Sequence, residues 1–462
     1  MMHPEPRIPL LGKGVPKLLV VLVLTLVPGI VATTGCTTTK ADSDNVILVS
    51  TAGELVAALQ PQNTGRHVRM LPGDFPVDGP LTVPDGAILE GAGMMRMENR
   101  LPAGFKPGTA TTIRVVSGFE GDLLTLGNGA VLSGLRLEDL KSAPGDSPQR
   151  SGNVIVVGSR ATNDTVSAEI HDCEIINPNP MGVAMDGPTG HGLMVLTRNP
   201  ARQDEPPPHE GAIITVHMER TILSANNKGG AVFVINFAAN GKISMVLNGN
   251  VLEGALNVAG GASRPDLVTG AEVLFESSNN LYALRPGGYD AVAWRVYGGS
   301  SSHIPGLSAP GASFNVARII SDHDRITGFK TGIRATGGRR WKSASGPLTG
   351  NRLELELRGT HIQTDGEGAA DLILQGALSD LEFDDNREFP PGDRNILRVL
   401  MRDVTGSSAP RANSYADVFG PELGSNRGSG NRLEFSGSLA EFEQSNQSIS
   451  PAPSAEFFPD QP

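Results

Sequence analysis

The chain has 462 residues, a formal net charge of −11, 57 glycines, 34 prolines and only 5% aromatic residues. An acidic balance of this size argues against bulk nucleic-acid binding, and so much glycine and proline asks for many tight turns. Two or three ordinary domains fit this length, but so does a solenoid, which grows by adding coils around an aliphatic core.

Arg7, Lys13 and Lys17 precede an apolar run at 18–27 (LLVVLVLTLV). A basic segment followed by such a run reads as a targeting segment, too short for a comfortable membrane span. Residues 1–35 are therefore set aside as a signal peptide. Ala32-Thr33-Thr34-Gly35-Cys36 resembles a bacterial lipoprotein cleavage box, with Gly before the cysteine that takes the lipid. It departs from that pattern at Thr33, where Leu is usual, so an ordinary cleaved signal peptide is the alternative. The resemblance implies acylation of Cys36. Thr37, in place of Asp, is similar to outer-membrane sorting in a Gram-negative host, with the protein facing the periplasm or the surface. The multiple acyl chains of such a cysteine anchor stably where one chain does not. Residues 36–45 are polar and read as a tether. Cys173, the only other cysteine, is then left single inside a coil; without acylation a disulfide to Cys36 stays open.

The stretch 51–93 opens with Leu55, Ala58 and Leu59 at helical spacing. Short strand-like pieces follow at 68–71, 81–83 and 87–89, separated by Pro72-Gly73-Asp74, Asp78-Gly79-Pro80 and Pro84-Asp85-Gly86. Strands this short are stable when they stack on copies of themselves. Pro72-Gly73-Asp74-Phe75 and Leu89-Glu90-Gly91-Ala92-Gly93 resemble the N-terminal cap and first coils of the pectate-lyase-like right-handed parallel β-helix superfamily. The resemblance implies an all-β, single-domain solenoid whose open N-terminal end is plugged by a short helix. It implies no particular activity, because this fold carries many.

From residue 123 onward an aliphatic run, a few small or polar residues and a closing aliphatic recur. The closing residues are Leu135, Ile175, Ile222, Val251, Leu281, Ile326, Ile362, Val404 and Leu439, spaced 29 to 47 residues apart. A minimal coil needs roughly 20–25 residues. The coils therefore carry long loops, such as the proline-rich 199–210, or else some coils escape this pattern. Loops stacked on one side of a solenoid build a groove. Asn177, Asn226, Asn250 and Asn279 fall at turns, where Asn tolerates left-handed backbone and stacks in ladders. The β-helix is expected over 46–443 and a loose tail over 444–462.

No phosphate loop, paired-cysteine metal motif or nucleophile elbow is present. Gly190-His191-Gly192 is similar to a turn of polygalacturonases. The other elements of that family are out of order or missing, so His191 reads as a turn residue. One window stands out. Both Trp and three of the four Tyr lie between 282 and 341, among Arg285, Arg295, Arg325, Lys330, Arg334, Arg339 and Arg340. A narrow aliphatic core has little room for large aromatics, which places several of them outside. Aromatic faces stack on sugar rings, and Arg forks bind carboxylate or sulfate bidentately. Tyr289, Trp294, Tyr297, Arg339, Arg340 and Trp341 are the resulting candidates for contacting an anionic glycan.

Asp322, His323, Asp324 and Arg325 form the densest titratable cluster of that window. One reading makes them a general acid/base pair, or carboxylates holding calcium, with Arg325 or Arg334 neutralising a substrate carboxylate. The other makes them a solvated turn with a local salt bridge, which His171-Asp172 and His217 with Glu219 at equivalent places favour. The expectation is an exported, lipid-anchored, monomeric β-helix acting on or binding a polysaccharide, as a lyase or hydrolase if catalytic. The alternative is a non-catalytic surface lipoprotein that binds glycan or a protein partner. A purely structural envelope protein leaves the clustered Tyr and Trp unexplained.

Overall fold

The computed structural model describes residues 45–116, 121–139, 152–178, 183–184, 187–188, 190–197, 210–225, 230–263, 267–284, 292–301, 311–340, 347–366, 368–379, 393–408, 411–417, 431–436 and 456–457. The expectations for the signal peptide, the tether and Cys36 lie outside these residues, as do Tyr289, Trp341 and Asn226. Among the described residues no helix is long and apolar enough to cross a membrane, which says nothing of β-barrels.

The helix α1 (Ala52–Ala58) forms where the sequence offers both halves of a capping box. The Thr51 hydroxyl accepts from the Glu54 amide at 3.2 Å. The Glu54 carboxylate in turn accepts from the amides of Ser50 (2.7 Å) and Thr51 (3.1 Å), satisfying donors that a helix start leaves open. Leu55, Ala58 and Leu59 are buried, so the helix presents its apolar stripe to the end of the core.

Three long sheets follow, of thirteen, ten and eleven strands, here sheets I, II and III. The strand Lys242–Asn248 of sheet I shows how sequence makes them. Its burial alternates strictly, with Ile243, Met245 and Leu247 inside. It pairs in parallel register with Ile213–Glu219 on one side and Glu272–Ser278 on the other. Each coil contributes one strand to each sheet, and the interior is a continuous stack of Val, Ile, Leu, Met and Ala. The fold is a single right-handed parallel β-helix. Two details depart from expectation near the start. Gly73–Val77 is a strand, where Pro72-Gly73-Asp74 reads as a turn, because Phe75 and Val77 alternate into the core. Met95–Glu98 and Leu101–Phe105 form an antiparallel hairpin that local sequence did not reveal.

Residues 91–110, with the hairpin, join sheets I and II once near the start; from Gly134 onward the two sheets are joined by two residues. The first of these is left-handed in each such coil: Gly134, Asp172, Arg220, Gly249, Asn279, His323, Gly359 and Asp403. The second points inward, and its polar members form a ladder. Asn250 Oδ1 accepts from the Thr221 amide (2.9 Å), Asn280 Oδ1 from the Asn250 amide (2.8 Å), and Asp324 Oδ1 from the Asn280 amide (2.8 Å). These rungs lie 29, 30 and 44 residues apart, and Cys173 lies 48 before Thr221, so each repeat read from the sequence is one coil. Cys173 is fully buried, and desolvation pushes its thiol up to about 12.

A second ladder runs under the passage from sheet III to sheet I. Asn315, Asn351 and Asn395 are fully buried, and each amide accepts from its neighbour: Asn315 N to Asn351 Oδ1 at 3.2 Å, Asn351 N to Asn395 Oδ1 at 3.1 Å. Their side chains press on glycines of sheet III. A Cβ on Gly299 would lie 2.2 Å from Asn351 Oδ1, and one on Gly338 2.5 Å from Asn395 Oδ1. Only glycine permits this approach, which accounts for the Gly-Gly pairs at 298–299 and 337–338.

Candidate functional site

From Gly134 onward, two-residue turns leave no room for a groove between sheets I and II, and the long connections attach to the two edges of sheet III, as at 138–155, 177–193, 196–213 and 301–316. The outward face of sheet III is therefore the floor of any groove that loops could wall.

That floor changes character along the solenoid. In the earlier coils it is apolar: Leu196, Phe233, Ile235, Phe237, Ala259, Ala262 and Tyr297 pack as a small cluster outside the main core. In the later coils it turns basic and polar. Strands Val292–Ser301 and Thr331–Arg340 pair so that Arg295 stands opposite Arg334 and Tyr297 opposite Thr336. Asn257 flanks Arg295, and Gln375 flanks Thr336. Both arginines are half-buried and also make contacts within the chain. Adjacent strands lie about 4.8 Å apart, so two like charges in register repel and favour an anion across them.

Tyr297 and Arg339 hold each other. The guanidinium carbon sits 4.9 Å from the Tyr297 ring centroid, and Arg339 Nη1 donates to the Tyr297 hydroxyl. They are 5% and 6% exposed, so they shape the floor more than they offer contact area. Arg340 ends the same strand.

Trp294, expected outside the core, is instead fully buried within it, edge-on to Tyr282 (centroids 4.9 Å) and Phe275 (6.3 Å). Ser277 and Ser321 occupy core positions in neighbouring coils, and these small residues leave room for large rings. Trp294 therefore presents no face to a ligand.

The cluster at 322–325 is divided by the turn. Asp322 ends its strand with its side chain 44% exposed, and His323, 69% exposed, meets it through Nδ1 at 2.8 Å. Arg325 is exposed on sheet II. Asp324 is fully buried as a rung of the inner ladder, accepting from Asn280 and from the Ser321 hydroxyl at 2.7 Å. The left-handed His323 reverses the chain between the two aspartates, so they share no face, contrary to their expected pairing. Burial, opposed by hydrogen bonds from Ser277, Asn280 and Ser321, pushes the Asp324 carboxyl up to about 6. Arg334 belongs to sheet III, a different face from Asp322 and His323. At the equivalent turn, Asp172 and Arg220 make a bidentate ion pair at 2.9 Å.

His191 is fully buried at the start of a sheet III strand, its ring 4.6 Å from that of Phe233 and its Nδ1 3.2 Å from the Gly230 carbonyl oxygen. Among the described residues no three His, Cys, Asp or Glu side chains converge as metal ligands would. The sequence reading overlooked Thr336 and Gln375, whose only signal is their place on a strand whose register was not visible.

With three parallel sheets and stacked turns in place, the chain is a parallel β-helix protein. No family model and no curated protein matches it. Solved structures similar to it include the Dettilon tailspike protein, at 9% identity and a TM-score of 0.35, covering 86% of this chain and 69% of that one. The A-module of the Azotobacter vinelandii mannuronan C-5 epimerase AlgE6 is 12% identical with a TM-score of 0.36, covering 84% and 95%. ORF18 of Geobacillus virus E2 is 10% identical with a TM-score of 0.32, covering 76% of this chain and 52% of that one. Likeness at this level says nothing about activity.

Proposed function

We propose that the outward face of sheet III binds an anionic polysaccharide, with Arg295 and Arg334 pairing to its carboxylate or sulfate groups. The observation that carries this reading is the in-register arginine pair on the face that receives the long connections. Two forks side by side suit an acidic chain running along the solenoid axis, and Thr336 and Gln375 add hydrogen-bonding groups for hydroxyls. The net charge of −11 makes such a patch local rather than a general attraction to polyanions.

Binding is favoured over cleavage. Catalysis needs a base or acid within reach of the same substrate atom as the arginine. The candidate set Asp322, His323 and Arg325 stands on other sheets than Arg334, and Asp324 is sealed in the core. The leader and Cys36 support export and lipid anchoring in a bacterial envelope as part of the same proposal.

The test is electrophoresis of the purified protein through gels cast with polygalacturonate, alginate, a sulfated glycan or a neutral glucan. Reducing ends and ultraviolet absorbance of unsaturated products are read in parallel. Retardation by an acidic glycan without product supports the binding reading. Release of product that survives Asp322→Ala and His323→Ala would make the protein an enzyme with another site.

A further inference from the structure

Seven coils pass from sheet III to sheet I through one left-handed backbone position: Asn163, Gly211, Asn240, Gly270, Phe314, Gly350 and Arg394. Glycine occupies such a position without strain and asparagine with little, whereas a bulky aromatic is an outlier there. Phe314 holds φ at 57° and is 65% exposed, more than any other large apolar side chain described. The chain thus bears a strained backbone and an unburied ring at one residue. Core packing offsets neither.

The ring rests on the next coil. Its Cδ1 and Cε1 lie 2.6 and 2.7 Å from where a Cβ on Gly350 would be, so Gly350 is what lets it settle there. One coil further along the column stands Arg394, exposed, at φ 56°, with no ion-pair partner among the described residues. Two coil spacings separate Phe314 from Arg394, roughly 10 Å along the axis. That is comparable to two linked sugar rings.

We propose that Phe314 and Arg394 form a sugar-binding subsite on the edge between sheets III and I. Phe314 stacks on the C–H face of one ring, and Arg394 pairs with the acidic group of a neighbouring unit. The proposal rests on the anionic-glycan reading and extends that site beyond the sheet III floor. It also gives a physical reason for the strain, since local backbone cost concentrates where a side chain must be held in place for a ligand.

The experiment compares gel retardation and thermal unfolding of the protein and its variants, with sodium polygalacturonate and sodium alginate as probes. Phe314→Ala and Arg394→Ala are each expected to weaken binding about three- to tenfold, and Phe314→Trp to retain it. Phe314→Asn, better suited to the left-handed position, is expected to weaken binding equally while raising Tm by about 1–3 °C. Unchanged binding in Phe314→Ala and Phe314→Asn overturns the subsite, as does a lowered Tm in Phe314→Asn, which would mark the ring as structural. If Arg295→Ala/Arg334→Ala loses binding while the Phe314 variants keep it, the subsite falls and the sheet III reading stands. If the unmodified protein binds neither polyuronate, both fall.

Discussion

Asp324 shows most plainly what a single residue can conceal. Asp322, His323, Asp324 and Arg325 read alike as charged turn residues, yet one of them is a core ladder rung with no exposure at all. Which of two turn residues faces inward depends on the left-handed position before it, and His323 is not a residue that advertises one. The rungs on either side are Asn280 and Thr360, so the aspartate stands in a column of otherwise uncharged side chains. Its carboxyl is raised from 3.8 to about 6, so the fold favours the neutral form. The stability this contributes is full below about pH 3.8 and is lost as pH rises through about 6. Asp324→Asn removes the ionisation. We expect it to stabilise the protein at pH 7.5 by on the order of 2 kcal/mol and to leave little difference at pH 4, read as Tm across pH. A variant less stable at both pH values would mean that the carboxylate makes contacts an amide cannot. Trp294 errs in the opposite direction. Composition suggested a narrow aliphatic core, but Ser277 and Ser321 on neighbouring rungs make local space that no count of residue types reveals.

At the scale of elements, the cap was legible because its signals are local. Thr51, Glu54 and the Leu55–Ala58–Leu59 spacing lie within one helical turn or two, and each acts as its chemistry dictates. The asparagine ladders were legible in kind but not in membership. Asn250 and Asn279 were both read as turn residues; the first is an inner rung and the second the left-handed residue beside one. The ladder of Asn315, Asn351 and Asn395 went unread, because its rungs are 36 and 44 residues apart and joined by unlike loops. Asn351 accepts from Asn315, donates to Asn395 Oδ1 at 2.9 Å and donates to the Ala312 carbonyl at 2.8 Å. Its replacement by Ala strands several buried groups together. We expect Asn351→Ala to cost about 2–4 kcal/mol by chemical denaturation, more than an average core truncation of that size. Gly338→Ala, which drives a Cβ into Asn395, should destabilise through the same ladder from its other side. If both variants unfold like the parent, the ladders are ornaments of the fold and not its struts.

For the whole molecule, sequence spacing marked one coil per repeat from Leu135 to Val404, since each repeat must return to the same core, while the coils of Phe75 and Ile113 escaped the count. It was not enough to say where the loops gather. The closing aliphatics mix inward sheet II positions such as Ile326 with outward ones such as Ile222, and their spacing cannot show on which edge the extra residues lie. The three-sheet arrangement answers this. Apart from the hairpin segment 91–110, sheets I and II are pinned by two-residue turns, and the surplus chain borders sheet III. The aromatic–basic window of the sequence is consequently split three ways. Trp294 and Tyr282 go to the core, Asp322 and His323 to the turn between sheets I and II, and Arg295, Tyr297, Arg334 and Arg339 to the sheet III floor. Among the described residues of the window, only the last group retains the chemistry first read into the whole.

The most direct measurement is retention of the protein by polygalacturonate as a function of salt, set beside Arg295→Ala/Arg334→Ala. Charge-assisted pairing at the sheet III floor predicts that the parent is retained, that salt weakens it, and that the double variant loses about tenfold or more while keeping its Tm within a few degrees. A double variant retained as well as its parent, or equal retention on a neutral glucan, would contradict the assignment of this face as the binding surface.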